Sequence, residues 1–182
     1  MHATLCDLMT DIIQNAVEAG ATEIELTIRE TAEEIEFKVK DNGKGMSSES
    51  KAKAVDPFYS DGCKHAHRRV GLGLSFLFQT AEAAGGEAAI ESQEGIGTVI
   101  RFRAQAHHVD LPPFGDFPVA AAMMLTLLPK GEMCINRTVG AKTYRLLRSE
   151  LEEALGGLDS AENLNMLKTF IASQEEDLRK AG

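Results

Sequence analysis

The chain has only three cysteines, Cys6, Cys63 and Cys134. An odd number with no Cys-x-x-Cys pair excludes a disulfide framework and fits a reducing compartment. A basic leader running into an apolar segment is also missing: Met1-His2-Ala3-Thr4 passes directly into an acidic helical pattern, so no signal peptide is expected. No apolar run is long enough to span a bilayer. The longest, Val119 to Leu128, is broken by Thr126 and predicts a buried helix. Basic residues are in deficit, with 19 Lys and Arg against 28 Asp and Glu and a formal charge of −9. Such a balance excludes a general nucleic-acid binder, because a phosphate backbone requires a basic footprint. Repeats and low-complexity tracts are absent. What is present is ordinary: 182 residues, 43% apolar and 26% charged. That is enough for a core without staples, as one domain plus a small appendage.

Periodicity orders the elements. Leu5, Leu8, Ile12, Ile13 and Ala16 have helical spacing, and Gly20 is a stop. Ile24, Leu26 and Ile28 alternate with polar residues, as do Ile35, Phe37 and Val39, which predicts a hairpin. A short helix is expected over 47–55, a loop over 56–70, and a helix from Gly71 to Gly85-Gly86. Strands follow at 87–92 and 97–104. Residues 105–118, with three prolines and two adjacent histidines, read as a linker or covering loop. A helix at 119–128, strands at 132–138 and 142–147, and helices at 148–155 and 161–179 complete the chain, with Ser160 as an N-cap.

Three segments carry chemistry. Asp11 and Asn15 are four apart and share one helix face, where a carboxylate and an amide could hold a water and a hydrated Mg²⁺. Asp41-Asn42-Gly43-Lys44-Gly45-Met46 lies at a strand end. Its glycines let the backbone approach a ligand, and its carboxylate can accept a hydrogen bond from an exocyclic amine; the plainer reading is a simple turn. Gly71-Leu72-Gly73-Leu74-Ser75 opens a helix, whose free N–H groups attract phosphate.

Taken in order, D-x-x-x-N-A, D-N-G-K-G-M, P-F, G-L-G-L and G-T-V-I-R-F resemble the GHKL superfamily of ATP-binding domains. That superfamily includes gyrase, the heat-shock chaperone, histidine kinases and the mismatch-repair ATPase. The resemblance covers roughly residues 5–104. It implies an α/β two-layer sandwich, a mixed or antiparallel sheet with helices on one face, with ATP and Mg²⁺ as cofactors. By the same resemblance Asn15 binds Mg²⁺, Asp41 meets the adenine amino group, and Thr98 lies beside it. Gly43, Gly45 and Met46 form the loop at the base, and Gly71, Leu72, Gly73 and Leu74 bring the lid onto the phosphates. Residues 56–70 correspond to that lid, with Phe58 at its base and Lys64, Arg68 and Arg69 as phosphate contacts. The phrase from Asn15 to Leu26 looks like the mismatch-repair branch, whereas the lid and G-L-G-L-S look like histidine kinases.

Two departures bear on activity. Members that hydrolyse ATP carry Glu four residues before the motif Asn. Asp11 is one methylene shorter, a weak catalytic base that argues against vigorous turnover. Glu18 stands where histidine kinases commonly carry a basic residue. Only fourteen residues precede Asn15, so a phosphoacceptor is expected on another protein. The chain is also similar to small stand-alone bacterial ATP-binding proteins related to histidine kinases. The expected organisation is an ATP-binding domain over 1–104 and a small α+β extension over 105–182. Expected partners are ATP and a second protein (a response regulator, a sigma-related factor or an enzyme), in the cytoplasm, with no nucleic acid or membrane. A homodimer through the last helix is open, with Leu164, Leu167, Phe170 and Ile171 forming its stripe. Activity is either phosphoryl transfer to a partner in trans, with weak ATPase as a variant of it, or nucleotide-gated binding without useful turnover. Cys63, His65 and His67, with His107 or His108, could hold Zn²⁺, although paired ligand spacing is absent. Lys142, Arg145 and Arg148 read first as a solvated face.

Overall fold

A computed structural model describes residues 4–55, 72–128 and 130–180. The first helix, α1 (Leu5–Glu18), starts in a capping box. The Thr4 hydroxyl accepts the Asp7 N–H while the Asp7 carboxylate accepts the Thr4 N–H. Its buried residues Leu5, Leu8, Met9, Ile12, Ile13 and Ala16 follow the predicted helical spacing. Two strands follow, β1 (Glu23–Glu30) and β2 (Glu34–Asp41). They form the expected hairpin, with the Thr31 side chain accepting the N–H groups of Glu33 and Glu34 in the turn. Next come α2 (Ser48–Val55), α3 (Leu72–Ala83), β3 (Glu87–Gln93) and β4 (Gly97–Gln105). The remainder supplies α4 (Phe117–Leu127), β5 (Glu132–Val139), β6 (Lys142–Leu147), α5 (Arg148–Leu155) and α6 (Ala161–Arg179).

The strands form one mixed sheet of six in the order β3-β4-β2-β1-β5-β6. Neighbours are antiparallel except β1 and β5, which run parallel. Strand alternation sorts the side chains. Ile24, Leu26, Ile28, Phe37, Val39, Ile100, Phe102 and Ile135 are buried on one face beneath α1, α3, α4 and α6. Phe37 and Phe102 are cross-strand partners and stack at 4.8 Å between ring centroids. Glu25, Glu36, Lys38, Arg101 and Arg103 project from the other face, and none is buried. Each large apolar side chain so buried contributes about 1.5–3 kcal/mol. The core is therefore the layer between the sheet and these helices.

Residue 105 falls at the end of β4, and the chain beyond it returns to the same sheet as β5 and β6. Residues 105–118 cover the start of α1. Pro113 and Phe114 carbonyls accept the Leu5 and Cys6 N–H groups at 2.9 Å each, satisfying donors that a helix start leaves free. Helix α4 begins at Phe117, two residues before the expected start, because Asp116 caps it and Pro118 fits its first turn. Cys6 and Cys134 are free thiols; burial, aided by Asp7, pushes Cys6 up to about 12 and makes it inert. Among the described residues no helix is long and apolar enough to cross a membrane.

Candidate functional site

Two groups of predicted site residues are assembled on the helix-covered side of the sheet. The first forms where α3 starts against α1. A Cβ placed on Gly73 would lie 3.7 Å from the Asp11 carboxylate and 4.0 Å from the Asn15 amide nitrogen. Asp11 is exposed and Asn15 half-buried, one turn apart on the same face. Leu74, the next residue, is buried and anchors the helix start to the core. The donors here are a carboxylate and an amide. That oxygen chemistry suits Mg²⁺, which keeps several waters and needs few protein ligands. Among the described residues no cluster of three His, Cys, Asp or Glu side chains could cage a metal by itself.

The second group forms at the ends of β2 and β4. Asp41 and Thr98 are register partners, and Thr98 pairs with Ser92 on β3. The Asp41 carboxylate accepts the Gly43 N–H at 2.8 Å and the Thr98 N–H. Burial raises its pKa above the usual aspartate value, and these two N–H groups only partly offset the rise. The carboxylate keeps acceptor capacity, since two oxygens offer more lone pairs than two N–H groups fill. Ser92 ties the group together: its hydroxyl accepts the Met46 N–H at 2.8 Å and lies 2.9 Å from the Thr98 hydroxyl. Backbone contact explains two glycines. Gly45 has φ +65° and Gly97 φ +137°; a Cβ on the first would collide with the Gln93 carbonyl, and on the second with the Asp41 carbonyl.

Asn42 was not among the expected site residues, yet it fixes this loop. Its Oδ1 accepts the N–H groups of Thr22 and Glu23 at 2.8 and 2.9 Å, and its Nδ2 donates to the Thr22 hydroxyl at 3.0 Å. The Lys44 N–H donates to the Ala19 carbonyl at 2.9 Å. The end of α1 and the loop after β2 are thereby held as one unit. Ser92 and Asn42 left little trace in the sequence. The single signal is the habit of Asn and Ser side chains of bonding nearby backbone.

A cleft of about 690 Å³ opens at this end of the sheet mostly on its uncovered face, lined by Glu25, Lys40, Glu91, Val99, Glu132 and Cys134 among others, and it takes in Asp41, Asn42, Ser92 and Thr98 as well. Its lining does not include Asp11, Asn15 or Gly73. Lys64, Arg68, Arg69 and Gly71, and the Cys63, His65 and His67 of the zinc reading, lie outside the described residues, as does the side chain of Leu72. His108 is engaged in its own loop, its Nδ1 accepting the Asp110 N–H at 3.2 Å, while His107 is exposed.

A mixed sheet with a helix layer on one face, an Asp-Asn-Gly loop at the strand ends and an Asn-bearing helix meeting a glycine-opened helix define an ATP-binding domain of the GHKL type. The chain belongs to the family described as histidine kinase-, DNA gyrase B-, and HSP90-like ATPases, matching it over residues 2–108. Domains of this family bind ATP. The same half is similar to the sensor histidine kinase YvrG of Bacillus subtilis, 32% identical over 96 residues, covering 51% of this chain and 17% of the relative. It is also similar to the sensor-type histidine kinase PrrB of Mycobacterium leprae, 32% identical over 95 residues, covering 52% of this chain and 21% of the relative. The chain thus spans well under two thirds of these relatives' lengths. A solved structure of the N-terminal domain of a DNA repair protein shares the fold, with a TM-score of 0.55 at 14% identity, over 90% of this chain and 59% of that one.

Proposed function

We propose that the chain binds Mg·ATP and passes the terminal phosphoryl group to a side chain of a partner protein in trans, releasing ADP. The observation carrying this is the approach of Gly73 to Asp11 and Asn15, with Asp41 and Thr98 held at the neighbouring strand ends. In this reading Asp41 accepts the adenine amine, and Gly43 and Thr98 aim its carboxylate. The first-turn N–H groups of α3 face the phosphates. The Asn15 side-chain oxygen would hold Mg²⁺, which when bound neutralises phosphate charge. Lys64, Arg68 and Arg69 would complete the phosphate contacts. The acceptor belongs to a response regulator, a sigma-related factor or an enzyme.

Calorimetric titration with ATP, with and without Mg²⁺, tests the binding step. Saturable binding strengthened by Mg²⁺ is expected, weakened by Asp41→Asn, with the metal dependence lost in Asn15→Ala. No binding to the unaltered protein rejects the proposal. Transfer of label from γ-labelled ATP to candidate partners tests the second step.

A second reading is a nucleotide-gated binding module without useful turnover, and one specific observation favours it. Asp11, the residue placed for a base, has a short side chain, and Glu18 ends the same helix with no basic residue in its last turn. Rapid steady-state hydrolysis abolished by Asp11→Asn would reject this second reading.

A further inference from the structure

Asp41, Thr98 and Ser92 form one row across three strands, with Thr98 on β4 opposite Asp41 on β2 to one side and Ser92 on β3 to the other. The row repeats the inward positions of Val39, Ile100 and Ile90, so its side chains stand on the helix-covered side of the sheet, at the strand ends. Thr98 is buried, and both of its polar donors have neighbours. Its N–H donates to the Asp41 carboxylate, and its hydroxyl lies 2.9 Å from that of Ser92. The Ser92 hydroxyl has two further neighbours, each with a fixed role. The Met46 N–H at 2.8 Å can only donate, and the Gly97 carbonyl at 3.2 Å can only accept.

A hydroxyl has one proton and two lone pairs. When Ser92 gives its proton to Gly97, it accepts from Met46 and from Thr98, and its bonding capacity is full. Thr98 has then committed its own proton to Ser92, so its oxygen offers a ligand only lone pairs. The ionised Asp41 carboxylate in the same row also accepts only. In the opposite arrangement Ser92 donates to Thr98. The Thr98 proton is then free for a ligand, but the Gly97 carbonyl loses its bond from Ser92. An acceptor-only edge suits an exocyclic amine and opposes a carbonyl. A base with oxygen in that place meets lone pairs, or it forces the rearrangement and one hydrogen bond is lost. We propose that Ser92 is a specificity-determining residue of the base subsite: by committing the Thr98 proton, it makes the Asp41–Thr98 edge a reader of bases that carry an amine. This inference rests on the proposed function, in which Asp41 meets the adenine amine. Ser92 acts through Thr98 and is a positioning residue.

Calorimetric titration of the full chain with Mg·ATP and with Mg·ITP tests this, because the inosine base carries a carbonyl where adenine carries its amine. The readout is the ratio of the two affinities. Ser92→Ala should lower the preference for ATP about threefold or more, the worth of one hydrogen bond, since Thr98 is then free to donate to the carbonyl. Ser92→Thr keeps a hydroxyl and should hold the parent ratio. In a Thr98→Val background Ser92→Ala should leave the ratio unchanged, because the hydroxyl through which it acts is gone. A purely supporting role, in which only the Met46 bond matters, would weaken both nucleotides by one factor. The proposal is overturned if Ser92→Ala preserves the ratio, if Ser92→Thr lowers it as far as Ser92→Ala does, or if Ser92→Ala lowers it equally with Thr98→Val present. If the parent binds no ATP, or Asp41→Asn leaves ATP binding unchanged, the reading of Asp41 fails and this proposal fails with it. Asp41-dependent ATP binding with a ratio indifferent to Ser92 overturns this proposal alone.

Discussion

Asp41 and Asn42 are adjacent, yet they were unequally legible. Asp41 announced itself through Gly43 and Gly45, because a carboxylate between a strand and a glycine turn forms a local pattern. Asn42 works across twenty residues, bonding the backbone of Thr22 and Glu23, and no local pattern encodes a partner so distant. Its predicted effect is one of aim. Under the proposed function, Asn42→Ala should reduce the preference for ATP over GTP several-fold, because the loop that carries Asp41 is no longer tied to Thr22 and Glu23; equal weakening of both nucleotides would show a merely structural role. As the proposed adenine acceptor, Asp41 also sets a pH dependence. Burial raises its pKa above the usual value, so the ionised acceptor is lost as pH falls through that raised value, while above it affinity is level. ATP affinity of the parent relative to Asp41→Asn should therefore decline on acidification from a pH above the usual aspartate range. A ratio constant across the acid limb would exclude Asp41 as the acceptor.

At the scale of elements, the period-2 and period-3.6 patterns were sufficient to locate helices and strands, and the misreadings concern faces and supports. The last helix was read as one stripe of Leu164, Leu167, Phe170 and Ile171, for docking on the ATP-binding domain or for a dimer; Leu167 and Ile171 are buried and Leu164 half-buried, whereas Phe170 is exposed beside Met166. A helix flanked by a core on one side and an apolar outer stripe on the other shows one broad apolar arc in sequence, so its two faces cannot be separated there. Helix α5 shows a second kind of limit. Its N-cap, Leu147, offers no side-chain cap, and the cap comes from Glu132 on β5. That carboxylate accepts the Ser149 hydroxyl and the N–H groups of Ser149 and Arg148. Burial opposes the charge, but these donors outweigh it and lower the Glu132 pKa. Glu132→Ala should cost about 1 kcal/mol, as lost caps do, read by denaturant unfolding. The stabilisation is full above the usual glutamate pKa and is lost as pH falls through the lowered one, so parent and variant should converge in acid.

At the scale of the whole molecule, the sequence signalled a change of composition at residue 105, but not that the later strands rejoin the first sheet. The pairing of β5 with β1 spans more than a hundred residues and depends on which edge the first four strands leave open, a property of their assembly. One signal was available. Strand 132–138 alternates Met133, Ile135 and Arg137 on its inward positions, so a charge points into the core and must meet a partner there. Arg137 is fully buried, its Nε donating to Glu175 on α6 at 3.2 Å and its terminal nitrogen to Glu30 on β1. Its guanidinium lies 4.7 Å from the Phe114 ring centroid, in the segment that covers α1. Tyr144 on β6 donates to the same Glu175 at 2.8 Å. One side chain thus joins β1, β5, α6 and the covering segment. Removing it leaves the buried Glu175 and the half-buried Glu30 to the exposed Arg179 and to Tyr144, and takes the fully buried cation from between them, so Arg137→Met should cost about 3 kcal/mol. Replacing Glu175 by Leu as well should recover part of that loss, because a buried carboxylate whose main cation is gone costs more than an apolar pair of similar volume. Burial opposes ionisation of Glu30, but Arg137 outweighs it and lowers the Glu30 pKa. The parent should therefore lose this advantage as pH falls through that lowered value, and Arg137→Met should show a flatter acid limb. If the single and double variants are equally destabilised, with acid limbs like the parent's, the network is a passive passenger of the packing and the sheet is held by its apolar layer alone.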